Sequence, residues 1–344
     1  MKARYTKYTL QFKRPSGTSR GILTKKDTYF LILEANDKIG IGECGLLEGL
    51  SPDPLASYEG VLSTLCQQIE NDLFDEANLI NDYPSIQMGL DMAKRSLVAE
   101  TPFTLFPSTF SKGLTALPIN GLIWMGDFSF MQAQIDQQLV AGFNCIRMKI
   151  GALDFDKELQ LLAQIRRHYG SDQIELRVDA NGAFHPDTAL QKLQELSQFN
   201  LHSIEQPIAV GQVEKMHELC QKSPVPIALD EELIGIQHQS DKAALLDQIA
   251  PAYIILKPTL LGGFKASQEW IHLAQERGIA WWVTSALESN VGLNAIAQWT
   301  ATLSTDMPQG LGTGSLYTNN IPCPLVVEKG YLRNENSLSW QFNL

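Results

Sequence analysis

Between Cys145 and Lys257 the chain repeats one pattern, a short run of β-branched and apolar residues that stops at a charge. The runs are CIRMK, IELRVD, LHSIE, VPIALD and AYIILK, ending in Lys149, Asp179, Glu205, Asp230 and Lys257. Successive ends lie 30, 26, 25 and 27 residues apart, the length of one strand plus one helix. Helical periodicity fills the gaps, over 155–169, 187–198, 212–221, 241–249 and 263–277. The strand LPINGLIWM (117–125) and a helix over 129–141 precede the series; IAWWVTS, a helix over 291–302 and QGLGTGS follow it. Strands alternating with helices of this length form parallel βαβ units, and eight strands close into a barrel. Because no full helix follows the eighth strand, the predicted fold is α/β, a modified (β/α)7β TIM-like barrel.

The first hundred residues have a different period. ARYTKYTLQFK (3–13), TYFLILEA (28–35) and KIGIGEC (38–44) alternate or are β-rich, with Asn36-Asp37 as a turn, and predict a small antiparallel sheet. RPSGTSRGILTKK, with Pro15, Gly17 and Gly21, predicts a long loop, and GLLEGLSPDP (45–54) a second one. Helical spacing returns over 55–73 and 85–99, and TPFTLFPSTFSKGLTA breaks it. The expected division is an α+β capping domain over 1–112 and a barrel over 113–318. The strand- and turn-like tail, 319–344, is expected to return to the cap and complete it.

Composition narrows the partners. A net charge of -11 disfavours nucleic acid and anionic membrane, since both need a basic surface. No apolar run reaches the ~18–20 residues of a membrane span, and MKARYTKYTLQFKR lacks the apolar core of a signal peptide. A cytoplasmic location is therefore expected. The five cysteines are widely spaced, with no CxxC, and read as reduced thiols. A phosphate loop, a Ser/His/Asp set and HExxH are all missing, and the histidines fall outside the strand-end series. Oligomeric state is not encoded in any pattern found.

A charge at the end of a buried strand is costly unless paired or bound to metal, and one end of such a barrel collects catalytic groups. Taken singly, Asp179, Glu205 and Asp230 read as caps or surface residues. At one position in three successive units they form an oxygen cage for a hard divalent cation, Mg2+ or alternatively Mn2+. Side chains alternate along a strand, so Arg147 points with Lys149, and Arg177 with Asp179. A lone lysine in an apolar run commonly snorkels, but a cationic neighbour disfavours the charged amine and makes Lys149 a candidate base. Lys257 lies four strands round, on the opposite wall. Two amines flanking a cation suit abstraction of a proton α to a carboxylate, with metal and ammonium stabilising the dianion. In TSALESNVGL, Ser285, Glu288 and Ser289 are candidates to contact an anionic small-molecule substrate; Ser285 and Glu288 also fit a capping box. Gly310 and Gly312 can offer backbone amides.

These motifs resemble the enolase superfamily. RMK is similar to the KxK motif of its muconate-lactonizing subgroup, and RVDAN, IEQP, ALDEE and ILKP to the three ligand segments and the opposing lysine. Within the subgroup, LKPTLLGG and TSALESNVGL resemble the o-succinylbenzoate synthase family. The resemblance spans nearly the whole chain and implies the barrel with its cap. It further implies Lys149 and Lys257 as catalytic residues, Asp179, Glu205 and Asp230 as ligands, and Arg147, Asn181 and Glu231 around them. Arg177 matches an arginine found in some synthases and is expected to face the substrate, and the 14–25 and 45–54 loops resemble specificity loops. The implied reaction is syn-elimination of water from a succinyl-hydroxycyclohexadiene carboxylate on the route to menaquinone. Racemases of N-acylamino acids and dipeptide epimerases use the same barrel residues and stay open as alternatives, as does a non-catalytic metal-binding scaffold. Two departures are Arg147 where lysine is usual and Asn290 in SNVGL.

Overall fold

The computed structural model describes residues 1–18 and 21–343. Its N-terminal sheet has three antiparallel strands in chain order, Lys2–Thr18, Gly21–Ala35 and Lys38–Cys44. The expected 14–26 loop is a correction: outside 19–20, which lie beyond the described residues, the segment is strand and extends the hairpin to the pair Thr18–Gly21. Pro15 falls in a register break between Gln11 and Ser16 on the edge strand. At a bulge on an edge strand its missing N–H interrupts no ladder bond.

The helix Pro84–Val98 packs on Lys38–Cys44 at backbone distance. A Cβ on Gly42 would stand 1.8 Å from the Gly89 carbonyl oxygen, so the GIGEC glycines are what permit the contact. Asp53, in the 45–54 segment, accepts hydrogen bonds from the Ser85 amide at 3.1 Å and its hydroxyl at 2.7 Å, tying that segment to the start of the helix.

Seven parallel strands follow: Gly121–Ile123, Cys145–Lys149, Glu175–Asp179, Ser203–Glu205, Ile227–Leu229, Tyr253–Leu256 and Ala280–Val283, each beside its predecessor. The curled sheet closes through two parallel bridges, Ile119 to Gln309 and Thr284 to Gly310. QGLGTGS thus contributes two bridging residues where a short eighth strand was expected. Gly310 fits because a Cβ there would meet Thr284 Oγ1 at 2.4 Å. The helices, from Phe128–Val140 to Asn290–Thr300, start and end within about two residues of their sequence periodicity. LPINGLIWM is divided: Ala116–Pro118 pairs with the tail strand Tyr331–Asn334, and Gly121–Ile123 opens the barrel. The tail strands therefore join the segment that leads into the barrel. The tail meets the first sheet at both ends: Asn319 accepts from the Gln11 amide at 2.8 Å and donates to the Thr9 carbonyl at 2.8 Å, and Phe342 stands edge-on to Phe30 at 5.4 Å, beside Trp340 stacked on Phe103 at 4.0 Å.

All five cysteines are free thiols, and burial pushes Cys66 and Cys323 up to about 11. Among the described residues no helix is long and apolar enough to cross a membrane.

Candidate active site

The parallel register places Lys149 opposite Asp179, and Asp179 opposite Glu205. The strand-end charges therefore meet as a direct consequence of strand order, and each is almost wholly buried. Lys149 Nζ donates to Asp179 Oδ2 at 2.9 Å and to Asn181 Oδ1 at 2.6 Å. Arg147 bridges Asp179 and Glu205, and Lys257 donates to Asp230. Asn181, at φ 43°, turns its amide nitrogen to Glu231 at 3.0 Å.

Burial alone would raise the Asp179 carboxyl, but Lys149 and Arg147 outweigh it and hold the group well below the carboxylate range. Asp230 is likewise held low against burial, chiefly by Lys257. Glu205 goes the other way. Burial pushes it far up; the attraction of Arg147 opposes this, and repulsion from Asp179 and Asp230 adds to it. Lys257 is held up, in spite of burial, by Asp230, Glu205 and Glu231.

These residues fit a divalent cation by donor chemistry. Among the described residues no three acidic, histidine or cysteine groups are gathered tightly enough to grip an ion as they stand. Arg147 and Lys257 instead lie on the carboxylates. Yet Asp179, Glu205, Asp230 and Glu231 against Arg147, Lys149 and Lys257 set four carboxyl groups against three cationic ones, all buried. A carboxyl that burial, with neighbouring carboxylates, drives towards its neutral form is one that an added cation would ionise.

Above this cluster lies a cavity of ≈ 660 Å³ whose lining includes Arg147, Lys149, Asn181, Glu231 and Lys257. Lys149 and Lys257 thus reach one chamber from different strands. Its opposite end is formed by Lys13, Arg14 and Leu23 of the hairpin and by Leu47–Leu50.

A family model described as enolase C-terminal domain-like matches residues 131–336. The chain belongs to the enolase superfamily. It is 47% identical to the o-succinylbenzoate synthase of Desulfotalea psychrophila over 96% of this chain and 98% of that one. The crystal structure of MenC from the same organism superposes with a TM-score of 0.85 at 44% identity, covering 97% of this chain and 99% of that one. The Bacillus subtilis L-Ala-D/L-Glu epimerase superposes with a TM-score of 0.83 at 16% identity, covering 99% and 97%, which shows the shared fold.

Within this superfamily barrel, three residues expected at the substrate lie elsewhere. Arg177 does point inward, but below the cavity. It donates to Glu175 at 2.7 Å and to the Pro308 carbonyl at 2.9 Å, and stacks over Trp282 at 4.3 Å. Glu288 and Ser289 stand behind the cavity wall, Glu288 bonded to Thr259 and Ser285, and Ser289 to Glu43. The capping-box reading fails too, because Ser289 is the N-cap of Asn290–Thr300 and accepts from the Val291 amide. Asn290 is bound to Asn320 and the Ile321 carbonyl, away from the cavity. Ser285, Gly310 and Gly312 do line it, with Thr313, whose hydroxyl meets Ser285 at 2.9 Å. Arg14 falls in the 14–25 segment expected at the substrate, whereas sequence reading missed Lys13, Trp124 and Thr313. The charge at 13, just after the last alternating residue of a strand, was the available signal for the first of these.

Proposed function

We infer that the chain is an o-succinylbenzoate synthase, a hydro-lyase that converts 2-succinyl-6-hydroxy-2,4-cyclohexadiene-1-carboxylate to o-succinylbenzoate and water in menaquinone biosynthesis. Near-full-length identity of 47% to the Desulfotalea enzyme carries the reaction. The observation that carries the site is that Lys149 and Lys257 enter one cavity from strands separated by the three carboxylate-bearing ones.

In this reading Lys149 takes the proton from C1 of the ring. Its conjugate acid returns that proton to the C6 hydroxyl on the same face, so water leaves and the ring becomes aromatic. Lys257 stays cationic and faces the enediolate oxygens. Asp179, Glu205 and Asp230 would hold Mg2+, which supplies positive charge beside the substrate carboxylate when bound. Arg147 orients Asp179 and Glu205, and Asn181 with Glu231 orients the Lys149 amine. Residues 1–112 serve as a cap over the barrel of 113–318, with Lys13, Arg14 and the 45–54 segment over the substrate arm and the 319–344 tail closing on Phe30.

The test is the ultraviolet change when purified protein meets the diene with Mg2+ and then with excess chelator. Metal-dependent formation of o-succinylbenzoate at a kcat of order ~10 per second supports the reading. No conversion by metal-loaded protein would sink it, and α-proton exchange of dipeptides and N-acylamino acids in D2O would then be measured.

A further inference from the structure

Outside the strand-end cluster the molecule buries a second set of charges, which the reaction does not use. Lys26, on the hairpin strand Gly21–Ala35, is 4% exposed, and Glu43 and Glu288 are each 1% exposed. The three come together where the hairpin meets the barrel. A point built as a Cβ on Gly45 lies 3.3 Å from Glu288 Cγ and 3.6 Å from Lys26 Nζ, and one on Gly292 lies 2.9 Å from Glu288 Cγ and 3.0 Å from Glu43 Oε2.

The two carboxylates are served unequally. Glu43 accepts from the Ser289 amide at 2.9 Å, the Gly292 amide at 2.8 Å, the Ser289 hydroxyl and Thr28, so it sits on the N-terminus of Asn290–Thr300. Backbone amides and the helix dipole favour its charge. Among the described residues Glu288 has only the hydroxyls of Thr259 and Ser285. Lys26 Nζ, for its part, has no hydrogen-bond partner among the described residues. A buried carboxylate without amides and a buried ammonium without acceptors are each unfavourable alone, and across the Gly45 gap, without an ion pair within 4 Å between them, each field offsets part of the other's cost.

The Glu288 bond to Ser285 leads to the cavity. Ser285 and Leu287 line it, the Leu287 amide donates to Ser285 Oγ at 3.0 Å, and Leu287 is held at φ 62°. A non-glycine residue there is strained and stays only while its surroundings fix it. Tyr317 takes the Leu287 carbonyl at 2.6 Å and Glu288 fixes Ser285.

We propose that Lys26 is a positioning residue, an electrostatic latch whose buried ammonium balances Glu288 across the seam and so holds the Ser285–Leu287 wall of the substrate cavity in place. It acts through Glu288 and does not touch substrate. Its kinetic consequence rests on the synthase reading; its structural consequence does not.

The test is a cycle of Lys26→Met, Glu288→Gln and the double variant, all loaded with Mg2+. Hydrogen exchange over residues 285–292 reads the latch whatever the substrate is. In Lys26→Met it should quicken by at least ~10-fold in that segment while the Cys145–Lys149 strand is unchanged. With the diene, KM should rise by at least ~10-fold and kcat fall by less than ~3-fold, because the two catalytic lysines are untouched. Adding Lys26→Met to Glu288→Gln should change exchange and KM by less than ~3-fold, since the charge to be balanced is gone. Exchange in Lys26→Met that matches wild type overturns the proposal. So does a double variant as impaired relative to Glu288→Gln as Lys26→Met is relative to wild type. If Lys26→Met does not fold, the Glu288→Gln pair decides by the same limit. Wild-type protein inert towards the diene would defeat the synthase reading and leave the exchange result standing.

Discussion

Lys149 donates to Asp179 Oδ2 at 2.9 Å, and the two are direct partners in the register of neighbouring parallel strands. The proposed base is thus bonded to a proposed metal ligand, and Asn181 holds its amine from a second side at 2.6 Å. Lys149→Ala should lower kcat by about 10²–10⁴-fold, the worth of a positioned base. Arg147 stays on Asp179, so Mg2+ binding measured by calorimetry should persist. Retained turnover would remove Lys149 from its role; lost metal binding would mean that its removal had disturbed the ligands instead.

Arg177 belongs to the barrel's interior support. Its guanidinium is 1% exposed and held by Glu175, the Pro308 carbonyl and the face of Trp282. Arg177→Met should cost about 1–3 kcal/mol of stability in urea unfolding, since the Pro308 carbonyl loses its charged donor and the partly exposed Glu175 its partner. Its KM for the diene should remain within ~3-fold of wild type. A large KM increase with unchanged stability would return Arg177 to the substrate.

What sequence could reveal followed from how local the cause was. Period and strand-end charge located the barrel strands and the Lys149–Lys257 series because both are written within runs of five or six residues. The hairpin through Pro15 was misread because turn-forming residues mark a loop locally, while pairing at a sheet edge tolerates them. Gln309 and Gly310 bridge without forming a strand for a similar reason, since glycine backbone closes the barrel where no side-chain pattern announces it. Arg177 and Asp179 do share a strand face, as alternation requires, but one lies deeper in the barrel than the other. Glu288 and Ser289 were assigned to the substrate because their partners Thr259 and Glu43 lie far off in sequence, Glu43 by 246 positions.

Metal binding should be measurable as stability as well as rate. A cation that binds only the folded protein adds about 2.7 kcal/mol when free metal is a hundredfold above its Kd. Mg2+ should therefore raise the Tm of the wild type and chelator should lower it again. Glu205→Gln, which deletes the carboxylate flanked by Asp179 and Asp230, should lose most of this rise. An equal Mg2+ effect in that variant would exclude Glu205 as a ligand.

Asp53 gives the fold a pH dependence that can be separated from the site. Burial lifts its carboxyl from the ordinary 3.8 to about 6, against the two hydrogen bonds from Ser85 that pull it down. The folded chain therefore holds this proton at pH values where the unfolded chain has released it. Between pH 3.8 and about 6 folded protein binds more protons than unfolded, so this group's contribution to stability falls as pH rises. The full cost, about 3 kcal/mol for a shift of roughly two units, is present above pH 6 and absent below 3.8. Asp53→Asn keeps an oxygen for Ser85 but cannot ionise. Its stability relative to wild type, from urea unfolding at successive pH values, should improve by about this amount between pH 4 and 7. A difference that stays constant across that range would show that Asp53 ionises alike in folded and unfolded protein.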